Sequence, residues 1–286
     1  MKILSPAKIN LFLQVTGKRA DGYHELFSLM CCVDLFDTIF LQFGLKNIRI
    51  ESSDPQIPLD DTNLAHRAAA VFFKALKVNG GLKIFIDKSI PVAAGLGGGS
   101  SNAASVLKGL NQHYGHPFSR NQLMSMGLGL GADVPFFLFG KPALASGIGE
   151  KLEAYPGPLP FHIVVIYPGF KVSTKEVFQN LNLGLTKSEK KIKRPFCLKI
   201  GFDPGLHLRN DLEIVTASEY PVITSIKQQL LIQGALGALM SGSGPTVFGL
   251  FADSHTAGRA KQAIGENTRW DAFVCAILNG TCPDDQ

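Results

Sequence analysis

Pro91-Val92-Ala93-Ala94-Gly95-Leu96-Gly97-Gly98-Gly99-Ser100-Ser101 stands between a predicted strand, Leu82 to Ile86, and a predicted helix, Asn102 to Gln112. The order strand, glycine loop, helix decides the reading. Four glycines in the five positions Gly95 to Gly99 let backbone N–H groups crowd around an anion. Two hydroxyls at a helix start add donors where the helix dipole favours negative charge. By composition and placement this is a phosphate cradle. It is no Walker loop, because G-x-x-x-x-G-K-[ST] is absent, and Ser100 stands where G-x-G-x-x-G needs its third small residue. A glycine run can also be a tight linker with no ligand; the hydroxyls and the helix that follow weigh against that here.

Outward from this loop, the chain of 286 residues holds 30 glycines, where average usage of roughly 7% would give about 20. They are not periodic, so a collagen-like repeat is excluded. Twelve lie between residues 91 and 149 and five between 234 and 249. With 45% hydrophobic and 18% charged residues, the chain can bury a real core and is not disordered. A net charge of +5 suits a protein that handles anions but falls short of a nucleic-acid binder, so no nucleic-acid partner is expected. The basic run Lys187, Lys190, Lys191, Lys193 and Arg194 reads as a solvated loop.

Five cysteines, Cys31, Cys32, Cys197, Cys275 and Cys282, form no C-x-x-C and make an odd count, which predicts neither a disulfide framework nor a zinc site and fits a reducing, cytoplasmic location. Met1 to Pro6 has a charge and a proline where a signal peptide needs an apolar run. The uncharged stretch Gln228 to Ala252 is broken by Gly242, Gly244 and Pro245, and two buried elements around a turn fit it better than a membrane span.

Apolar Ile9, Leu11, Leu13 and Val15 alternate with Lys8, Asn10, Phe12 and Gln14, which predicts a half-buried strand with Lys8 and Asn10 on one face. Gly17 to His24 reads as a polar loop with an Asp-Gly turn. A helix is expected over Thr62 to Lys77, stopped by Gly80-Gly81, and another over Arg120 to Leu130. Three prolines and a glycine between Tyr155 and Pro160 mark a lobe boundary. Ser173-Thr174-Lys175-Glu176 has capping-box spacing and predicts a short helix. Further helices are expected near 211–217, 222–233 and 257–264, with strands over 161–166, through Phe251 and over 272–278. The mixture predicts a two-lobed α+β protein.

Three motifs in order resemble the GHMP kinase superfamily and cover the chain from end to end. Ser5-Pro6-Ala7-Lys8-Ile9-Asn10-Leu11 is similar to its first, Pro91 to Ser101 to its second, P-x-x-x-G-L-G-[GS]-[GS]-[SA], and Ser241-Gly242-Ser243-Gly244-Pro245-Thr246 to its third. Within the superfamily, Gly17-Lys18-Arg19-Ala20-Asp21-Gly22-Tyr23-His24-Glu25-Leu26 and Leu130-Gly131-Ala132-Asp133-Val134-Pro135 resemble the branch that acts on cytidine diphosphate-linked methylerythritol in the non-mevalonate isoprenoid pathway. The resemblance implies an N-terminal ribosomal-S5-like lobe, residues 1–156, and a C-terminal ferredoxin-like lobe, residues 157–286, with the active site in the cleft between them. It implies transfer of the γ-phosphoryl group of ATP, with Mg2+, to a tertiary hydroxyl of that small molecule.

The resemblance also assigns roles. Lys8 and Asp133 match the catalytic pair: Asp133 accepts the hydroxyl proton or orients the hydroxyl, and Lys8 stabilises the developing alkoxide and the phosphoryl oxygens. Asn10 matches a contact to the hydroxyl end of the substrate, Tyr23 and His24 the cytidine pair, Phe178 the aromatic across the base, and Thr174 a contact to the diphosphate. Asn63 and Lys88 match positions near adenine, and the Pro91 to Ser101 backbone surrounds the phosphates. Taken alone, each has an ordinary explanation. Lys8 can be an edge-strand charge, Asp133 a helix N-cap, Asn63 a helix-terminal polar residue, Lys88 a solvated strand lysine and Phe178 a core residue. No Asp or Glu between Lys88 and Asp133 offers itself as an Mg2+ ligand. His113 and His116, lacking a partner acid, read as surface residues.

Overall fold

A computed structural model describes residues 1–181 and 201–278. The basic run, Cys197 and Cys282 lie outside the described residues. Cys31, Cys32 and Cys275 are buried thiols with no disulfide.

The chain opens with a long antiparallel hairpin, β1 (Lys2–Lys18) and β2 (His24–Leu45), closed over the turn that the Asp-Gly pair predicts. β2 curves on to pair with β4 (Gly81–Asp87), beside which β3 (Arg49–Ser52) runs parallel. Its first half also pairs with β5 (Ala143–Gly147), which carries β6 (Lys151–Ala154) at the margin. Four helices cover one face: α1 (Leu64–Leu76), α2 (Gly98–His113), α3 (Arg120–Leu128) and α4 (Val134–Phe139). Phe72, Leu107 and Phe136 meet Ile39, Leu41 and Ile84 there; truncating one of these buried rings to alanine costs about 3–5 kcal/mol.

The second lobe is an antiparallel sheet in the order β11 (Asp271–Ala276), β7 (His162–Tyr167), β10 (Val247–Phe251), β9 (Gly237–Met240). Between β7 and β9 in the chain come α5 (Thr174–Gln179), a single turn α6 (Pro204–His207) and α7 (Glu213–Glu219). Helices α8 (Val222–Ile232) and α9 (Ser254–Asn267) lie on one side. The strand period of two splits β7 and β10 between two cores. Val164, Ile166, Val247 and Phe251 face the helices through Ile223, Ile226 and Ala260. Ile163, Val165, Phe248 and Leu250 face the first lobe and pack on Ile9, Leu11, Leu29 and Cys31.

This shared core corrects the reading of β1. Its residues from Ser5 to Val15 are all buried, not half-buried, because the second sheet covers the face that a lone hairpin would leave wet. The lobes are also threaded together. The two-residue strand β8 (Arg209–Asn210) adds to β1 in parallel, and Ile277 bridges to Val33.

α1 ends where expected, with Lys77 at φ 58° as its cap. One further boundary differs from expectation. α2 begins at Gly98, not Asn102, with Gly97 at φ 71° as its cap. The end of the glycine run is thus the first helical turn, whose N–H groups have no partner within the helix.

Candidate active site

A cavity of about 1170 Å3 lies between the lobes, and every residue given a catalytic, ATP or substrate role in the sequence lines it except Leu96 and Ser101. Those two hold the loop from behind: the Leu96 carbonyl accepts from the Lys8 N–H at 2.9 Å, and Ser101 Oγ accepts from Ser5 Oγ at 2.9 Å. The loop turns through positive φ at Ala93 (53°), Gly95 (77°) and Gly97 (71°). A left-handed alanine is a strained choice that persists where its surroundings enforce it. The third motif grips the loop from the other lobe, at Gly95. Ser241 Oγ donates to the Gly95 carbonyl at 3.0 Å, and a Cβ on Gly95 would run into the Ser241 carbonyl oxygen. Asn210, on β8, steadies that turn by donating to the carbonyls of Met240 (2.8 Å) and Gly242 (2.7 Å).

Lys8 reaches the cleft from β1 with a side chain only 6% exposed. Its Nζ donates to Asn10 Oδ1 at 2.7 Å, as a common strand face requires, and lies 3.6 Å from Asp133 Oδ2. Asn10 Nδ2 donates to Ser28 Oγ at 2.9 Å, and Ser28 in turn donates to the Phe12 carbonyl at 2.6 Å. The amide is thereby aimed, oxygen toward Lys8. Asp133 does occupy the N-cap position of α4, but its side chain makes no capping bond and is 38% exposed. Its carboxylate is open to the cleft, which the capping explanation does not predict.

At the far end of the cavity His24 stacks on Phe178 with ring centroids 5.3 Å apart and planes 24° off parallel. Tyr23 beside them is 60% exposed. Burial, and then the charge of Lys18, push the His24 pKa below its ordinary value, so the ring is neutral at pH 7. Thr174 Oγ1 shares a 2.7 Å hydrogen bond with Ser243 Oγ, joining α5 to the third motif.

Asn63 and Lys88 line the same cavity but are already engaged. Asn63 caps α1, accepting from the Ala65 N–H at 2.8 Å and donating to the Pro58 carbonyl at 2.7 Å. Lys88 is not solvated; its ammonium is buried against Asp37 at 2.5 Å. Sequence reasoning missed Ser28 and Asn102. Ser28 has no signal short of knowing its cross-strand neighbour. Asn102 follows the loop directly, is buried, lines the cavity and has an Oδ1 with no hydrogen-bond partner. Such an atom calls for a ligand or water.

Two family models match this chain: the N-terminal domain of GHMP kinases over residues 63–141 and the C-terminal domain over 202–269. The 4-diphosphocytidyl-2-C-methyl-D-erythritol kinase of Syntrophotalea carbinolica is 49% identical over 277 residues, 96% of this chain and 98% of that one. The chain belongs to this GHMP kinase family. The relative of the same name from Syntrophus aciditrophicus is 45% identical over 98% of this chain and all of its own. Among solved structures, a 4-(cytidine 5'-diphospho)-2C-methyl-D-erythritol kinase superposes with a TM-score of 0.79 at 35% identity, covering 96% of this chain and 99% of its own. A homoserine kinase from Cytophaga hutchinsonii, 21% identical with a TM-score of 0.77 over 98% of this chain and 95% of its own, shares the fold. As a GHMP kinase the chain is an ATP-dependent phosphotransferase of two-lobed α+β fold. Among the described residues no helix is long and apolar enough to cross a membrane.

Proposed function

We propose that the chain transfers the γ-phosphoryl group of ATP to the tertiary hydroxyl of 4-diphosphocytidyl-2-C-methyl-D-erythritol, in the cytoplasm, as a step of the non-mevalonate isoprenoid route. The observation that carries this is one cavity holding the glycine loop, the Lys8–Asp133 pair and the Tyr23–His24–Phe178 aromatics. We further propose the division into residues 1–156 and 157–286 as the functional lobes.

The N–H groups of the loop and of the first turn of α2 hold the triphosphate. Tyr23 and Phe178 offer faces for the pyrimidine, and neutral His24 hydrogen-bonds its edge. Thr174 stands by the diphosphate, and Asn10 with Asp133 orients the acceptor hydroxyl. The hydroxyl oxygen attacks Pγ, the bond from Pγ to the β–γ bridging oxygen breaks, and the hydroxyl proton passes to Asp133 as ADP leaves. Lys8 lies where charge develops on the attacking oxygen and the transferred group. Mg2+ travels with ATP and neutralises its phosphate charge. Among the described residues no cluster of three His, Cys, Asp or Glu can hold a metal ion. The donor set facing the cavity near the loop is the Ser100 hydroxyl and the unpaired Asn102 Oδ1, which fits an ion that keeps most of its waters and is carried by phosphates.

The rival acceptors on this fold are mevalonate and homoserine. Against them stands the aromatic end of the cavity, which neither would fill. ADP release measured with the cytidylylated alcohol beside mevalonate and homoserine tests the reading. Turnover with the first is expected; preference for either of the others overturns it.

A further inference from the structure

Asp37 lies outside every motif quoted above and does not line the cleft. Its carboxylate has no solvent exposure, yet three donors converge on it. Oδ2 accepts from Lys88 Nζ at 2.5 Å, and Oδ1 accepts from the backbone N–H groups of Ser89 and Ile90, each at 2.9 Å. Those residues are the strap that leaves β4 and enters the glycine loop at Pro91. From the other side Ser53 Oγ accepts from the Lys88 N–H at 2.8 Å.

The ammonium that Asp37 holds sits over the start of α2. A Cβ built on Gly98 would lie 3.2 Å from Lys88 Nζ and 3.2 Å from Ile90. A cation beside a helix N-terminus is repelled by the dipole, and burial adds a desolvation cost. Asp37 supplies the negative charge that keeps the ammonium there before any anion arrives. A lysine ammonium has three N–H donors; the bond to Asp37 takes one.

We propose that Asp37 is a positioning residue for the nucleotide: it holds the Lys88 ammonium and the 88–91 strap where the glycine loop can take a polyphosphate. This rests on the ATP-dependent reading above. A purely structural ion pair would bear on stability alone, whereas positioning bears on ATP in particular.

The test compares the full-length wild type with Asp37→Asn and with Asp37→Asn/Lys88→Met, reading thermal midpoint, calorimetric ATP affinity, kcat, and KM for each substrate. Asparagine keeps an oxygen for the two backbone donors and removes the charge. Asp37→Asn is expected to weaken ATP about tenfold or more, the scale of a charged hydrogen bond, with kcat and the acceptor KM within about twofold. The double variant, which no longer buries an unpaired ammonium, is expected to regain thermal stability but not ATP affinity. Unchanged ATP affinity in Asp37→Asn, a parallel rise in both KM values, or recovery of ATP affinity together with stability in the double variant overturns the proposal. If Asp37→Asn does not fold, the double variant decides alone: wild-type ATP affinity overturns the proposal and a tenfold loss supports it. A wild type that binds ATP but leaves the cytidylylated alcohol untouched sinks the functional reading, while the calorimetric comparison still judges Asp37.

Discussion

Asp133 has the position of a helix cap and the freedom of a reactive group, and that combination sets its expected behaviour. Asp133→Asn keeps the shape and loses the proton acceptor. We expect kcat to fall by on the order of 10²–10³, with calorimetric ATP affinity within about twofold, since the phosphate contacts come from the loop. Near-normal turnover would remove Asp133 from the reaction. For the exposed ring of Tyr23 the expectation runs the other way. Tyr23→Ala removes stacking worth about 1–3 kcal/mol per base, so KM for the cytidine substrate rises some tenfold or more while KM for ATP holds; equal loss for both would place the cytidine elsewhere. At this scale the legible residues were those related by a local period. Lys8 and Asn10 share a strand face, and their 2.7 Å hydrogen bond follows. Asp37 and Ser28 act through partners 52 and 18 residues away, distances no pattern along the chain encodes.

Among elements, the loop and the helix it becomes are the informative pair. Glycine's poor helix propensity hid the true start of α2, because tertiary contacts decide it: Lys8 and Phe137 crowd Gly97, and Ser241 grips Gly95. The same contacts separate two substitutions of one chemical type. Gly95→Ala meets both a positive φ and the Ser241 carbonyl, so melting temperature and ATP affinity should both drop. Gly99→Ala meets only Leu64 Cδ1 at 3.8 Å, inside a helix, and should leave the melting temperature unchanged or raise stability by about 0.5–1 kcal/mol. A Gly99 variant as damaged as the Gly95 one would show that the loop, not the inter-lobe grip, governs the outcome. α1, by contrast, was readable in type and extent, its end at Lys77 included, because its apolar stripe is long; the left-handed conformation of Lys77 was not, being more often given to glycine or asparagine.

Over the whole molecule, the two-lobed α+β plan could be read from the mixture of elements and the order of the motifs, but the sharing of β1 between lobes could not. A two-residue strand such as β8 leaves no periodic trace. Beside β8, His207 is buried and accepts from the Asp203 N–H through Nδ1 at 2.7 Å, so it is neutral. Burial lowers its pKa despite the opposing charge of Asp203, and His24 is lowered as well. The unfolded chain therefore takes up these protons first, at about pH 6.5, and stability falls as pH drops from there through the lower folded values. Melting curves between about pH 7 and 5 should show this loss, with a shallower slope in His207→Gln; an unchanged slope would clear His207 of the effect. The Val33–Ile277 bridge and the packing of Cys275 onto the core around β1 also bear on how the protein is made. At about 5–20 residues per second of synthesis, a strand near residue 10 waits on the order of tens of seconds for its last neighbour to leave the ribosome. Until then part of the apolar surface around it lacks its native cover.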